Sequence, residues 1–422
     1  MIRKLVVIAD DLTGAIDTGV QFLKRNAHVH VLVKPGDTFI EDDAAIDILV
    51  INTDSRHLYA AEAGSRVTEA VRLAKRWGAD TIYKKTDSVL RGNIGIELET
   101  ALRESGQKHL AFVPAYPRQN RFTRNGVQYI NNIPIDETEF NKDPLDPVTA
   151  SSINEIIARQ SQLPVILIHD GQLPDELNHE SSILLFNAES DSELERIAGT
   201  LIKHQLRAIA GCAGFAAHLP LSIGNGSVQE EICFQDQRMI VISGSMMKTS
   251  LRQLELARDH GFEQIYLQDL SGACRTQHGI SAIERILEEH RNGNDLIISM
   301  DEDCFFGTAD PESAFKVANY LGSLAESLLR TERSTALMII GGDTLLAALN
   351  CLRAASIEPL VEIVSGVVLI KVVGQFGTHL VVTKSGGLGS EDTLLLVRQF
   401  IQSHNVVKRD SALEYAGITR EI

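Results

Sequence analysis

The sequence predicts an α/β protein of two domains, each a mostly parallel β-sheet flanked by helices, with the active site in the cleft between them. The chain has 422 residues, which is long for one domain and suits two or three. Short apolar runs rich in β-branched residues alternate with stretches of helical periodicity, the pattern of βαβ units. Several of these runs end in charged or glycine-rich residues, where open α/β sheets bind their ligands.

The first strand, Leu5–Ala9, has the length and apolar content of a buried parallel strand. It ends in Asp10 and Asp11, which are followed by Thr13, Gly14 and a helical stretch. Because ligands bind beyond the carboxyl ends of such strands, both aspartates stand where a small polar substrate would lie. Aspartate is also a good helix cap, so one of the two, Asp10 above all, could be only a cap. Two adjacent carboxylates exceed what a cap needs, which favours a ligand role.

The rest of the first half repeats this alternation of strands and helices. Strands are predicted at 29–33, 46–51, 81–84, 110–113, 165–168 and 182–187, and helices at 60–77 and 193–203. The polar residues that follow two of these strands are Arg56 in one case and Lys84, Lys85, Thr86, Asp87, Ser88 and Arg91 in the other. Residues 117–147 are polar and lack periodicity, which predicts a long functional loop or lid.

The charged residues that follow these strands suit a ligand with hydroxyls and a carboxylate. Aspartate oxygens accept hydrogen bonds from hydroxyls, and an arginine such as Arg56 can hold a carboxylate through two parallel hydrogen bonds. The alternative is that Arg56 and Lys85 are ordinary solvated surface residues. Their position just past strand ends supports a pocket for a polyhydroxy acid.

A glycine-containing linker at 221–228, with the sequence L-S-I-G-N-G-S-V, predicts a domain boundary. It divides the chain into domains at 1–225 and 226–422. In the second half, strands are predicted at 239–242, 264–267, 296–299, 336–340, 367–373 and 379–383, and a helix at 391–402.

Three strand–helix turns of the second half are rich in small polar residues. Their candidate ligand-binding residues are Ser243 and Ser245 in the first turn, Gly341, Gly342, Asp343 and Thr344 in the second, and Gly386, Gly387 and Gly389 in the third. Glycines let the backbone approach an anion, and a helix N-terminus offers free N–H groups. Each turn alone is a weak signal, but three on one sheet edge predict a cradle for a nucleotide. Neither a Walker P-loop motif nor a G-x-G-x-x-G after the first strand is present.

The composition narrows the class of protein. The net charge of −16 argues against a general binder of nucleic acid or anionic membranes, although a local cationic pocket stays compatible with it. Five scattered cysteines, a first strand close to the N-terminus and no long apolar run predict a cytoplasmic protein without disulfides. The thirteen histidines form no metal-binding motif, and the acidic stretch at 301–306 is better read as a solvated loop than as a metal site.

Five segments together resemble the four-carbon acid sugar kinase family, which includes threonate, erythronate and 3-oxo-tetronate kinases. They are I-A-D-D-L-T-G-A-I-D-T-G at 8–19, K-T-D-S at 85–88, S-G-S at 243–245, G-G-D-T at 341–344 and S-G-G-L-G at 385–389. The resemblance implies that the N-terminal domain binds a sugar acid and that the C-terminal domain binds ATP. It also implies transfer of the γ-phosphoryl group to the terminal C4 hydroxyl, with D-threonate or D-erythronate as the expected acceptor.

The same resemblance implies roles for individual positions. Substrate contacts are implied at Asp11, Arg56 and 85–88, and ATP contacts at Ser243 or Ser245, at 341–344 and at 386–389. Many relatives have Glu where this chain has Asp343 and Phe where it has Leu388, which indicates a subgroup rather than another activity.

Phosphoryl transfer depends on positioning and on neutralising charge, and Mg²⁺ that bridges the ATP phosphates is expected, with protein ligands left unassigned. Asp11 or Asp87 would orient or deprotonate the attacking hydroxyl; Asp343 is the rival base or a Mg²⁺ ligand. Two other classes stay open: an NAD-dependent dehydrogenase of a small hydroxy acid and a non-catalytic sugar-acid-binding protein. A homodimer is the default assembly.

Overall fold

The computed structural model describes residues 1–23, 25–34, 46–143, 146–173, 177, 180–222, 231–232, 234, 238–266, 286–290, 293–300, 311–331, 336–403 and 407–408. The chain divides into two compact units, Met1–Gly226 and Ser227–Ile422. Each unit has its own hydrophobic core. We refer to them as the N-terminal and C-terminal units.

The N-terminal unit alternates strands and helices as βαβ patterning predicts. Its elements are β1 Leu5–Ala9, α1 Leu12–Leu23, β2 Val29–Leu32, β3 Ile48–Asn52, α2 Ala60–Arg76, β4 Thr81–Lys85, α3 Ile94–Ser105, β5 His109–Val113, β6 Arg121–Arg124, β7 Val127–Ile130, β8 Ile133–Pro134, α4 Ile153–Ala158, β9 Val165–Ile168, β10 Ser182–Phe186, α5 Asp191–Lys203, β11 Ala208–Gly211 and α6 Ala213–Ala216. Short 3-10 helices occupy Pro117–Gln119, Ile135–Glu137 and Glu139–Lys142.

Eight strands of this unit form one parallel sheet in the order β2-β3-β1-β4-β11-β5-β10-β9. Strand β1 is buried along its whole length because helices cover both faces of a parallel sheet, which explains its uninterrupted apolar sequence. After β1 the chain builds β2 and β3 on one side and then crosses to β4 on the other. Such a reversal of strand order opens a crevice at the carboxyl ends of the strands.

The polar segment at 117–147 differs from the predicted loop. It contains a three-stranded antiparallel meander of β6, β7 and β8 together with all three 3-10 helices of the unit. Thr123 and Gln128 are fully buried in this meander and share a side-chain hydrogen bond of 2.7 Å. The prediction of an irregular loop was wrong because strands this short show no periodicity in sequence.

The C-terminal unit is also α/β. Its elements are β12 Glu231–Ile232, β13 Met239–Ser243, α7 Lys248–Asp259, β14 Phe262–Tyr266, β15 Asp295–Ser299, α8 Pro311–Thr331, β16 Ala336–Ile340, α9 Gly342–Cys351, β17 Ser356–Val364, β18 Val367–Gly374, β19 Gly377–Lys384, α10 Thr393–Ser403 and β20 Val407–Lys408. Strands β12 and β20 pair with each other.

Seven strands of this unit follow the order β14-β15-β13-β16-β19-β18-β17. The first five are parallel, whereas β18 runs antiparallel to both β17 and β19. The sequence did not predict β17, which carries a proline and two irregularities in register. As in the N-terminal unit, the strand order reverses beside the strand of this sheet that comes first in sequence: β14 and β15 lie on one side of β13, and β16 lies on the other.

Some predicted features fall wholly or partly outside the described residues. These are the acidic stretch at 301–306, most of the linker at 221–228 and the last residue of the strand predicted at 264–267. Within the part of the chain that the structure describes, no helix combines the length and apolarity that a membrane span requires.

Candidate active site

Charged side chains gather at the carboxyl ends of β1, β3 and β4 in the N-terminal unit. Strand β1 lies between β3 and β4, in register with both, so the residues that follow these strands meet at one edge of the sheet. We call the following set the strand-end cluster: Asp10, Asp11, Arg56, Lys84, Lys85, Asp87 and Arg91. Tight parallel pairing brings these residues together although they span 82 positions of sequence.

The two aspartates after β1 have different partners. Asp10 is 3% exposed and accepts a hydrogen bond from Arg56 Nε at 2.7 Å. Asp11 accepts from Arg56 Nη2 at 2.5 Å and caps α1, since its oxygens also accept from the Gly14 amide at 3.2 Å and from Thr13 Oγ1 at 2.6 Å. The suspicion that Asp10 is only the cap was therefore wrong: Asp11 is the capping residue.

Arg56 bridges these two carboxylates. Its Nε and Nη2 atoms point at protein aspartates, so this edge of the guanidinium cannot also hold a ligand carboxylate through two parallel hydrogen bonds. A contact of Arg56 with the substrate stays a prediction, with Nη1 as the guanidinium nitrogen that neither aspartate occupies. Asn93 fixes the turn that carries Arg56, because its amide nitrogen donates to three backbone carbonyls of residues 55–58.

Burial and neighbouring cations oppose each other at Asp10. Burial raises the pKa of this carboxyl, but the charges of Arg56, Lys84 and Lys85 outweigh burial, and the net pKa is lowered. Asp10 is therefore ionised at neutral pH. Its Oδ1 atom is buried and has no hydrogen-bond partner in the described part of the chain, which leaves an acceptor for a ligand hydroxyl.

Asp87 is held by Arg91. Arg91 Nε donates to Asp87 Oδ2 at 2.9 Å, and Nη2 donates to Oδ1 at 3.2 Å. Although burial raises the pKa of Asp87, Arg91 and Arg56 hold it well below its usual range. A carboxylate of such low pKa is a weak proton acceptor at neutral pH. Beside it, the hydroxyl of Thr86 is buried without a partner among the described residues.

A buried ion pair supports the strand-end cluster from below. Lys84 Nζ lies 2.9 Å from Glu97 Oε2, and these side chains are 0% and 1% exposed. Ser55 Oγ donates to the other oxygen of Glu97 at 2.5 Å, which ties the end of β3 to α3. Glu97 was not predicted as a site residue, because a glutamate in the first turn of a helix is ordinary. A strictly buried glutamate facing a lysine is visible only in three dimensions.

Lys85 and Arg121 complete the charged region. Lys85 is 4% exposed, and its Nζ atom lies 2.6 Å from where a Cβ on Gly14 would stand, so the ammonium packs closely against the start of α1. Arg121, the first residue of β6, donates from Nη1 to Ser88 Oγ. Arg121 was not predicted as a site residue, because it lies in the polar segment at 117–147 and not at a predicted strand end.

The glycine-rich turns of the C-terminal unit contact one another. A Cβ on Gly244 would stand 2.1 Å from Thr344 Oγ1, and one on Gly386 would stand 2.0 Å from Ser245 Oγ. The turns at 243–245, 341–344 and 385–389 thus pack at the carboxyl ends of β13, β16 and β19. Only glycine allows this approach, and Gly341 and Gly389 also have positive φ values of 113° and 89°. We call these three turns the glycine cradle.

Buried polar side chains form hydrogen bonds that hold the glycine cradle in place. Lys384 is 1% exposed, and its Nζ atom donates to Ser385 O at 3.0 Å and to Ser250 Oγ at 3.3 Å. Burial lowers its pKa to about 7. Ser243 Oγ is buried without a partner in the described chain, whereas Asp343, in the first turn of α9, is exposed. Gly342 begins α9, and Gly387 lies near Met247 with open space beyond.

Comparisons with known proteins give both units a family. A model described as a sugar-binding N-terminal domain matches residues 5–219, and one described as a nucleotide-binding C-terminal domain matches residues 240–394. A D-threonate kinase of Salmonella typhimurium is 30% identical over 94% of this chain and 98% of its own. A D-erythronate kinase of Heliobacterium modesticaldum is 25% identical, covering 92% and 94%. The fold is like that of a solved Haemophilus influenzae protein, with a TM-score of 0.70 at 18% identity over 94% of this chain and 100% of the other.

Proposed function

Because this chain belongs to the four-carbon acid sugar kinase family, we propose that it transfers the γ-phosphoryl group of ATP to the terminal C4 hydroxyl of a four-carbon sugar acid. D-threonate and D-erythronate are the expected acceptors, as they are the substrates named for full-length relatives. The observation that carries the proposal is the combination of a strand-end cluster in one unit with a glycine cradle in the other. We assign the acceptor to the first and ATP to the second, with domains at 1–225 and 226–422.

On the acceptor side, Asp11 is the best candidate to orient the attacking hydroxyl. Its side chain is 20% exposed, compared with 4% for Asp10 and 9% for Asp87. An ionised carboxylate has about four lone-pair sites, so the partners of Asp11 leave room to accept from a substrate hydroxyl. As the hydroxyl proton passes to the Asp11 carboxylate, the C4 oxygen bonds to the γ-phosphorus, the bond from that phosphorus to the β–γ bridging oxygen breaks, and ADP leaves. Asp87, which is ionised and accepts hydrogen bonds from Arg91, helps to position the acceptor.

On the nucleotide side, the cradle fits a chain of phosphates. Helices α7, α9 and α10 begin within or after the turns that follow β13, β16 and β19, and helix N-termini offer free backbone N–H groups to an anion. Ser243 adds a buried hydroxyl without a partner among the described residues. Mg²⁺ would neutralise charge on the phosphoryl oxygens, held mostly by them. Among described residues no cluster of three metal-ligating side chains occurs, which suits an ion that the nucleotide brings with it. Asp343, an exposed residue of the 341–344 turn of the cradle, is the protein ligand we propose.

The rival classes give different results in one assay. A dehydrogenase would reduce NAD⁺ with a hydroxy acid, and a non-catalytic binding protein would leave ATP intact. The absence of a G-x-G-x-x-G motif after the first strand argues against the dehydrogenase. The glycine cradle argues against the non-catalytic binding protein. A homodimer, a cytoplasmic location and an active site in the cleft between domains stay predictions.

The test is ATP consumption with D- and L-threonate, D- and L-erythronate and their oxidised forms. Asp11→Asn should lower kcat about 100-fold or more if this carboxylate orients the hydroxyl. Asp343→Asn should shift the Mg²⁺ dependence to higher concentration, and Asp87→Asn should raise KM for the acid.

Asp80→Asn is the matched control, since Asp80 accepts from the Arg3 amide at an exposed position, and it should leave turnover unchanged. Near wild-type turnover in all three variants would contradict the mechanism, and no ATP consumption on any acid would contradict the proposed function.

A further inference from the structure

Five cations lie in the charged region of the N-terminal unit, and described carboxylates pair with only some of them. Three of the five are paired: Arg56 with Asp10 and Asp11, Arg91 with Asp87 and Asp143, and Lys84 with Glu97. Lys85 and Arg121 form no ion pair within 4 Å among the described residues. Both are largely enclosed by protein, where a charge without a counter-charge is costly. Two enclosed cations without an ion pair are suited to receive a negative group from outside the chain.

Arg121 presents the donor geometry that a carboxylate needs. Its Nη1 atom donates to Ser88 Oγ, whereas its Nε atom is buried and has no hydrogen-bond partner in the described structure. The Nε–Nη2 edge of a guanidinium is the fork that matches both oxygens of a carboxylate. At Arg56 the same edge is occupied by Asp10 and Asp11, so Arg121 offers the fork that Arg56 lacks.

The Lys85 ammonium and the Arg121 guanidinium lie in the same part of the charged region. Arg121 donates to Ser88, which lies three residues after Lys85, so both cations belong to the carboxyl end of β4. The charges of both also act on Asp87 and on the buried thiol of Cys212. Burial lowers the pKa of the Arg121 guanidinium, and the attraction of Asp87 does not restore it. Next to Lys85, Thr86 Oγ1 is another buried polar atom without a partner in the described chain. Arg121 Nε and Thr86 Oγ1 are therefore two buried donors that a bound anion could satisfy.

We propose that Arg121, together with Lys85, binds the carboxylate of the sugar acid and that Arg121 makes the site selective for an acid over a neutral polyol. The inference rests on the proposed function, since it places the acid group of that acceptor. The hydroxyl end of the substrate then lies toward Asp11 and Asp10. The meander of β6, β7 and β8, which lies where a loop was predicted, thus supplies the side chain that recognises the negative charge of the substrate.

The test compares the sugar acid with its primary amide, which has the same hydroxyls and no charge. In the wild type, kcat/KM should strongly favour the acid. Arg121→Gln should lower kcat/KM for the acid by about 100-fold and change the value for the amide by less than about threefold, so that the preference collapses. KM for ATP should not change. Arg121→Lys, which keeps the charge and loses the fork, should give an intermediate preference and covers the case in which the Gln variant does not fold.

Arg124→Gln is the matched control on the same strand, because Arg124 is exposed and pairs with Glu189. It should leave the preference for the acid intact. An equal loss for acid and amide in Arg121→Gln, no loss at all, or a collapse in Arg124→Gln would overturn the inference.

Calorimetric binding of acid and amide in the absence of ATP separates the two proposals. Acid binding that Arg121→Gln abolishes, in a protein that consumes no ATP, would refute the kinase and keep the carboxylate site. Phosphorylation of the acid by Arg121→Gln with an unchanged preference for the acid over the amide would support the kinase and refute the carboxylate site.

Discussion

Replacing Lys84 by methionine tests whether the buried ion pair under the strand-end cluster holds the N-terminal unit together. Lys84 and Glu97 are 2.9 Å apart and essentially without solvent exposure. Methionine keeps most of the volume of the lysine stem and removes its charge, so Glu97 loses its cationic partner and keeps only the hydrogen bond from Ser55. Water cannot reach the carboxylate to compensate.

The expected loss is large for a single substitution. Breaking a buried pair from one side costs about 3–5 kcal/mol, and a domain of this size loses about 2–4 °C in melting temperature per kcal/mol, so the shift should be about 6–20 °C. Differential scanning calorimetry measures it. The exposed pair of Arg159 with Glu155, 45% and 59% exposed, is the control, and Arg159→Met should cost at most about 1 kcal/mol.

The loss should depend on pH in a defined direction. Burial raises the pKa of Glu97 above its ordinary value, and Lys84 lowers it, with a net rise in the native protein. Without Lys84 the pKa of Glu97 rises further. The buried Glu97 carboxyl is then neutral at low pH, where burial costs little, and charged at high pH, where burial is costly. Lys84→Met should therefore be less destabilising at pH 5 than at pH 8. The double variant with Glu97→Gln should recover most of the loss at pH 8. A loss equal to that of Arg159→Met would refute the reasoning.

Two further predictions concern the C-terminal unit. Gly386→Ala places a Cβ 2.0 Å from Ser245 Oγ, so the cradle must shift and KM for ATP should rise about tenfold or more, whereas Gly199→Ala, with no atom within 4 Å, should not change it. Lys384 has a pKa of about 7 when folded and an ordinary value when unfolded, so the unfolded chain binds more protons between pH 7 and 10 and stability rises with pH. Melting curves should show this gain, at about 1 kcal/mol per pH unit, in the wild type and not in Lys384→Met.

The sequence predicted most of the regular structure because parallel strands buried on both faces are apolar without interruption. Strand β16 was predicted at its observed bounds, and β1 likewise, since each is a clean run that ends in a turn. Strand β17 was missed, because it contains Pro359 and bulges, and antiparallel strands of mixed burial are hard to distinguish from loops. The meander was missed for a similar reason.

The sequence by itself determined the fold class, the two-part organisation and the strand ends at which polar residues collect, because local periodicity and glycine-rich turns are written in neighbouring residues. It also gave the family through five short segments. Only the tertiary structure decided what those polar residues do: Asp11 caps α1 while Asp10 is buried against Arg56, and Arg121 joins them from the meander. Pairing of charges depends on distances between distant segments, and no local pattern encodes which cation a given carboxylate will neutralise.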